Sequence, residues 1–145
     1  MRYIGLILVV LCSDQLLKQW ISHHLSVGET ILSNPVIDLT YLKNTGAAWS
    51  IFSGKKWLLI IIALVAIVIL TYLIIKNHRH PLLATGLSLA LSGAIGNVID
   101  RILYGYVIDM FQLEFISFPI FNIADIALCL GVFMILIYLI REDGN

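Results

Sequence analysis

Residues Trp57 to Ile75 read WLLIIIALVAIVILTYLII, a run of 19 residues in which only Thr71 and Tyr72 are polar. A helix rises 1.5 Å per residue, so about 20 apolar residues cross a hydrocarbon core of about 30 Å. This run meets that length and is apolar enough all round to face lipid on every side. Three more segments match it in length: Tyr3–Ile21, Pro81–Ile99 and Phe121–Ile140. The first is apolar to Leu11 and then interrupted by Asp14, Gln15, Lys18 and Gln19. The third opens on a proline suited to a first helical turn and is rich in small residues, and the fourth carries Asn122 and Asp125 near its start. The expected fold is an all-α integral membrane protein of four transmembrane helices, with residues 1–145 as one domain and connections at 22–56 and 102–120.

Composition agrees. Of 145 residues 60% are hydrophobic and 12% charged, with a mean hydropathy of +0.97, where soluble domains carry about 25% charged residues. That excludes a soluble enzyme, a disordered chain and a fibrous repeat. Nine Lys+Arg balance nine Asp+Glu, so nothing argues for nucleic acid as a partner. Cys12 and Cys129 sit in apolar runs without metal-ligand spacing and read as buried small hydrophobes. The first segment, preceded by Arg2, has the look of a signal peptide. Leu11 before Cys12 is too large for a lipoprotein cleavage site, and further spans follow, so a retained helix is expected.

Basic residues in short loops set orientation. Arg2, Lys76 with Arg79, and Arg141 fall on one side of a four-span topology; Lys43, Lys55 and Lys56 are diluted over a longer connection on the other. Both termini are expected in the cytoplasm. On the outer side, Val36–Lys43 alternates, with Ile37, Leu39 and Tyr41 opposite Asp38 and Thr40, the period-two mark of a half-buried strand. Val107, Phe111, Leu113 and Phe115 alternate likewise, with Asp109 on their apolar face. A small extracytoplasmic β platform is expected there. Trp49, Phe52 and Trp57 are placed to anchor the interface.

The polar residues of the spans gather at one end. Asp14 and Lys18 lie late in the first, Asn97, Asp100 and Arg101 end the third, and Asn122 and Asp125 begin the fourth. Some have plain explanations: Asp14 and Lys18 pair one turn apart, Arg101 snorkels from a helix end, and Asn122 caps a helix start. His23, His24, His78 and His80 lie outside the spans and are not expected to bind metal. Asp125 is harder to explain away, because a carboxylate within a span costs about 2.5–3.5 kcal/mol and usually faces a cavity or pathway. Asp109 stands where its strand wants an apolar side chain. Two close carboxylates share a proton, so one can activate water while the other polarises a carbonyl and protonates the leaving amine. This aspartic peptidase scheme needs no metal or cofactor; paired carboxylates also serve a proton- or cation-coupled transporter, and a polar cluster can simply join helices in a scaffold.

Five blocks in register with the spans sharpen the choice: Asp14-Gln15-Leu16-Leu17-Lys18, Lys43-Asn44-Thr45-Gly46-Ala47-Ala48-Trp49-Ser50, Gly96-Asn97-Val98-Ile99-Asp100-Arg101, Val107-Ile108-Asp109 and Phe121-Asn122-Ile123-Ala124-Asp125. With these the chain resembles the lipoprotein signal peptidases, the type II signal peptidases of bacteria. The resemblance implies a membrane aspartyl peptidase of the bacterial cytoplasmic membrane, cleaving prolipoproteins before a cysteine that bears a diacylglyceryl group, near the outer face. It implies Asp109 and Asp125 as catalytic residues, and Asn44, Asn97, Arg101 and Asn122 at the site or the substrate, where Gly46 is expected to let the backbone turn close to the scissile region. Asp14 and Asp100 are implied as structural support, and Lys18 joins them as the partner of Asp14. Membrane lipids and the peptide antibiotic globomycin are the other implied partners, and a monomer is expected. Ala84, Ser88, Ser92 and Gly96, four residues apart, would let helices approach closely.

Overall fold

The computed structural model describes every residue except 1, 33, 47–51, 53 and 144–145; Trp49 therefore lies outside the described residues. The chain runs α1 (Arg2–His24), β1 (Thr30–Leu32), β2 (Ile37–Asn44), α2 (Lys56–Lys76), α3 (Pro81–Leu103), β3 (Val107–Leu113) and α4 (Ile123–Asp143). All four helices are long and apolar enough to cross a membrane. They correspond to the four expected spans, each extended by one to four residues at an end, with α4 starting at Ile123, two residues later than expected. The extension of α1 takes in His23 and His24, whose rings meet the carbonyls of Gln19 and Trp20 at 2.7 and 2.8 Å.

α3 is the hub of the bundle. Ala84, Ser88, Ser92 and Gly96 are all buried along it, as the four-residue spacing of small side chains predicts. Its Gly86 and Gly93 meet α4 backbone to backbone: a Cβ on Gly86 would lie 2.8 Å from the carbonyl oxygen of Gly131. No side chain could stand between the two helices at that crossing.

Two apolar expectations need correcting. α2 does not face lipid all round: Leu59, Ile60, Ala63, Ala66, Ile67, Leu70, Leu73 and Ile74 form a partly covered seam, and α2 packs on α3. Lipid and a helix of small residues are equally apolar neighbours, so hydropathy alone cannot tell them apart. Cys12 and Cys129 are exposed rather than buried, for the same reason, since apolar residues in a bilayer turn outward as readily as inward. Trp57 and Phe52 are exposed at the sheet end of α2, as interface anchors require.

The platform is a three-stranded antiparallel sheet in the order β1-β2-β3. It is pinned to the end of α1 by a core of Ile21, Leu25, Tyr41, Ile108 and Met110. β1 had no signal of its own in the sequence. In β2 the register shifts between Leu39 and Leu42, so the consecutive residues Thr40 and Tyr41 are both buried; a bulge breaks the strict alternation read from the sequence. β3 is buried on both faces from Val107 to Met110. Val107 and Asp109 do share a face, but Ile108 and Met110 on the other face pack toward α1, and Phe115 lies past the strand and exposed.

Candidate active site

The β2–β3 register brings the first pair of functional candidates together. Asn44 pairs with Val107 and Leu42 with Asp109, so Asn44 and Asp109 are diagonal neighbours on one face, within reach of each other. Asn44 Nδ2 donates to Asp109 Oδ2 at 2.9 Å, and the Asn44 side-chain oxygen accepts from the Gly46 N–H at 2.9 Å. One asparagine thus holds the carboxylate and turns the following loop.

The second carboxylate belongs to the start of α4. Asn122 precedes the helix and its Oδ1 accepts from the Asp125 N–H at 2.9 Å, while Asp125 Oδ2 accepts from the Asn122 N–H at 3.2 Å. This is a reciprocal capping box, so the helix-start role foreseen for Asn122 is real. Its amide nitrogen has a further use, donating to Asp109 Oδ1 at 2.7 Å. Asn97 Nδ2 donates to Asp125 Oδ1 at 2.7 Å. Three asparagines from β2, α3 and the α4 start therefore engage both oxygens of both aspartates.

Below this layer is a sealed ionic cluster. Lys18 Nζ lies 2.9 Å from Asp14 Oδ2, 3.0 Å from Asp100 Oδ2 and 3.1 Å from Asn97 Oδ1. Asp14, Lys18 and Asp100 are each at most 1% exposed. The expected pairing of Asp14 with Lys18 is present, but Asp100 does not merely mark a helix end. Gln15, given no role from the sequence, donates to Asp14 Oδ2 at 3.1 Å and to Asp100 Oδ1 at 3.0 Å. Its signals were an amide inside an apolar span and a place between Asp14 and Lys18 in the first block.

Arg101 does not snorkel. It is half-buried, donating from Nη2 to the Gly46 carbonyl at 2.7 Å and from Nη1 to the Asn97 carbonyl at 3.3 Å. It ties the α3 end to the loop after β2.

The upper layer opens on a cavity of about 690 Å³ lined by Asn44, Asn97, Arg101, Asp109 and Asp125 on one side. Its other wall is apolar and includes Phe118, Pro119, Ile120, Phe121, Leu128 and Cys129. The 118–121 stretch carried no functional signal in the sequence, since its apolar residues look like any loop returning to a membrane. Burial pushes the Asp109 carboxyl up to about 7, with the charge of Asp125 adding to the rise and the donors Asn44 and Asn122 opposing it. A carboxyl in that range can give and take a proton near neutrality. Among the described residues no three His, Cys, Asp or Glu side chains cluster as a metal site. The arrangement can bind an amphiphilic chain beside a pair of carboxylates able to exchange protons with it.

Comparison with known proteins identifies the family and the fold. A family model described as signal peptidase (SPase) II matches residues 6–141. The lipoprotein signal peptidase of Latilactobacillus sakei is 46% identical over 144 residues, covering 97% of this chain and 95% of that protein. That of Lactobacillus johnsonii is 48% identical over 141 residues, covering 95% and 91%. A solved bacterial membrane enzyme, determined in meso at 2.3 Å, superposes with a TM-score of 0.95 at 35% identity, covering 99% of this chain and 90% of that one. A second, at 1.9 Å, gives a TM-score of 0.89 at the same identity, covering 97% and 94%.

Proposed function

This chain belongs to the signal peptidase II family of membrane proteases, and from that premise we propose that it removes signal peptides from prolipoproteins by cleaving before the diacylglyceryl-modified cysteine, with Asp109 and Asp125 as the catalytic pair. The observation that carries the reading is the pair itself: two carboxylates, each oxygen held by a donor, at the wall of a cavity whose opposite side is apolar. The apolar wall suits a hydrophobic signal helix and its lipid-bearing cysteine, and the polar wall suits the scissile backbone.

In this scheme the pair shares one proton, carried by Asp109, whose raised affinity for it comes first from burial. Asp125 takes a proton from the attacking water, and Asp109 hydrogen-bonds the scissile carbonyl oxygen as negative charge develops there. The amine departs with the proton of Asp109, and the proton that Asp125 took from water then passes to Asp109 to restore the starting state. Asn44, Asn97 and Asn122 hold the two carboxyl groups so that little reorganisation accompanies the reaction. Arg101 and Gly46 line up the substrate's approach from the loop after β2.

The density of basic residues supports cytoplasmic termini and a site at the extracytoplasmic face. Globomycin is expected to compete for the cavity, and the protein is expected to act as a monomer. Transport is the weaker reading: the buried ionisable side chains among the described residues, Asp14, Lys18, Asp100 and Asp109, all lie at one end of the bundle, where a pathway needs them along its length.

The test uses purified protein in detergent with a diacylglyceryl-modified precursor peptide. Asp109→Asn and Asp125→Asn should each abolish cleavage while leaving the protein folded, and the unlipidated peptide should be a poor substrate. A chelator should leave the rate unchanged. Appreciable turnover by either variant would sink the catalytic pair.

A further inference from the structure

The ammonium of Lys18 has its three hydrogens directed to three acceptors, and each acceptor leads to the catalytic pair by a separate route. Asp14, besides meeting Lys18, accepts the backbone N–H of Ala124 at 2.9 Å through Oδ1; Ala124 is the residue before Asp125. Asp100 accepts the backbone N–H of Ile108 at 3.0 Å through Oδ2; Ile108 is the residue before Asp109. The third acceptor is the side-chain oxygen of Asn97, whose nitrogen donates to Asp125. An ammonium only donates, so Lys18 forces the Asn97 amide to present its oxygen inward and its NH2 to Asp125. The opposite amide sense would set an NH2 against an ammonium and an oxygen against a carboxylate.

We propose that Lys18 is a positioning residue for the peptidase reaction, fixing through Asp14, Asp100 and Asn97 the separation and orientation of Asp125 and Asp109. The inference rests on the reading of those two aspartates as catalytic. Lys18 touches neither of them and is sealed from the cavity, so it positions them through its three acceptors, while its charge also acts on Asp109 through space. A displacement on the order of 1 Å at reacting groups costs about a hundredfold in rate, which makes the anchoring of both preceding backbone amides to one cation consequential.

Lys18→Met removes the cation but strands two buried carboxylates, so a second variant, Lys18→Met with Asp100→Asn, removes one positive and one negative charge together. Each is compared with the wild type and Asp125→Asn for thermal unfolding in detergent, kcat, KM and the pH profile. The expected result is a cooperatively unfolding charge-balanced variant with kcat reduced about a hundredfold and KM within severalfold of wild type. Its pH profile should move, because Lys18 lowers the Asp109 pKa and the remaining neighbours of that carboxyl, Asp125, Arg101, Asn44 and Asn122, do not replace it. Adding Asn97→Ala should then cost little more, since Lys18 acts partly through that amide. A folded variant with wild-type kcat overturns the proposal, as does a loss with an unmoved pH profile, which a reduced folded fraction alone would give. Failure of the charge-balanced variant to fold assigns Lys18 to structure and overturns it too. If wild type cleaves and Asp125→Asn does not, any of these outcomes counts against Lys18 alone; an active Asp125→Asn would instead bring down the catalytic pair.

Discussion

Gly93→Ala tests whether the α3–α4 contact sets the position of the active site. A Cβ at Gly93 would collide with the backbone carbonyl of Ala124 and lie 3.0 Å from both Cβ and N of Leu128. A carbonyl within a helix cannot rotate away, so α4 must retreat on the order of 1 Å to restore ordinary van der Waals separation. Overpacking of this kind costs about 1–3 kcal/mol, against a gain of about 1 kcal/mol for alanine over glycine within a helix. With backbone as the obstacle the upper part of that range applies, for a net loss of about 2 kcal/mol. The effect on catalysis is larger, because Asp125 directly follows Ala124 and would be drawn away from Asn97; a shift of that size costs about a hundredfold in rate. Thermal unfolding in detergent measures the first quantity and cleavage of a lipidated precursor peptide the second. Gly5→Ala, with nothing within 4 Å of the new methyl, is the control and should leave both near wild type. Wild-type melting and turnover in Gly93→Ala would refute the claim that this backbone contact positions the aspartate.

The Asp109 carboxyl, raised from its ordinary 3.8 to about 7, holds its proton more tightly folded than unfolded. Its contribution to stability is therefore full at low pH and is lost as the pH climbs through that window; cleavage should also fall above a limb near pH 7, and a rate flat from pH 6 to 9 would contradict the shared-proton scheme. Arg101→Lys should raise KM about tenfold with a smaller effect on kcat, because one ammonium cannot span the Gly46 and Asn97 carbonyls that the guanidinium bridges; steady-state kinetics on the same peptide checks it.

Much of the fold was open to reading because bilayer thickness imposes a length on every span and a strong cost on every misplaced charge. Asp125 and Asp109 stood out as carboxylates in apolar patterns, and their neighbours Asn44, Asn97 and Asn122 followed from the blocks around them. What stayed hidden has a common cause. The partners of Asp14 and Asp100 are the backbone N–H groups of Ala124 and Ile108, and every residue but proline has such a group, so no residue type announces the contact. The α2 seam and the outward turn of Cys12 and Cys129 were concealed because lipid and protein interior select the same side chains. The burial of both faces of β3 came from Ile108 and Met110 meeting Ile21 at the end of α1, a neighbour that a period-two pattern does not reveal.

The ionic cluster also bears on how the chain is made. Lys18 reaches Asn97 across 79 positions, Gln15 reaches Asp100 across 85 and Asp14 reaches Ala124 across 110. As the ribosome delivers the protein, the charges of the first helix have only the Asp14–Lys18 pair and the Gln15 amide, and a charge at the centre of a membrane costs about 2.5–3.5 kcal/mol. The third helix supplies most of the missing partners and the fourth the last. Until those helices emerge the polar residues of the first lack these partners, and the site is completed only when the final helix arrives.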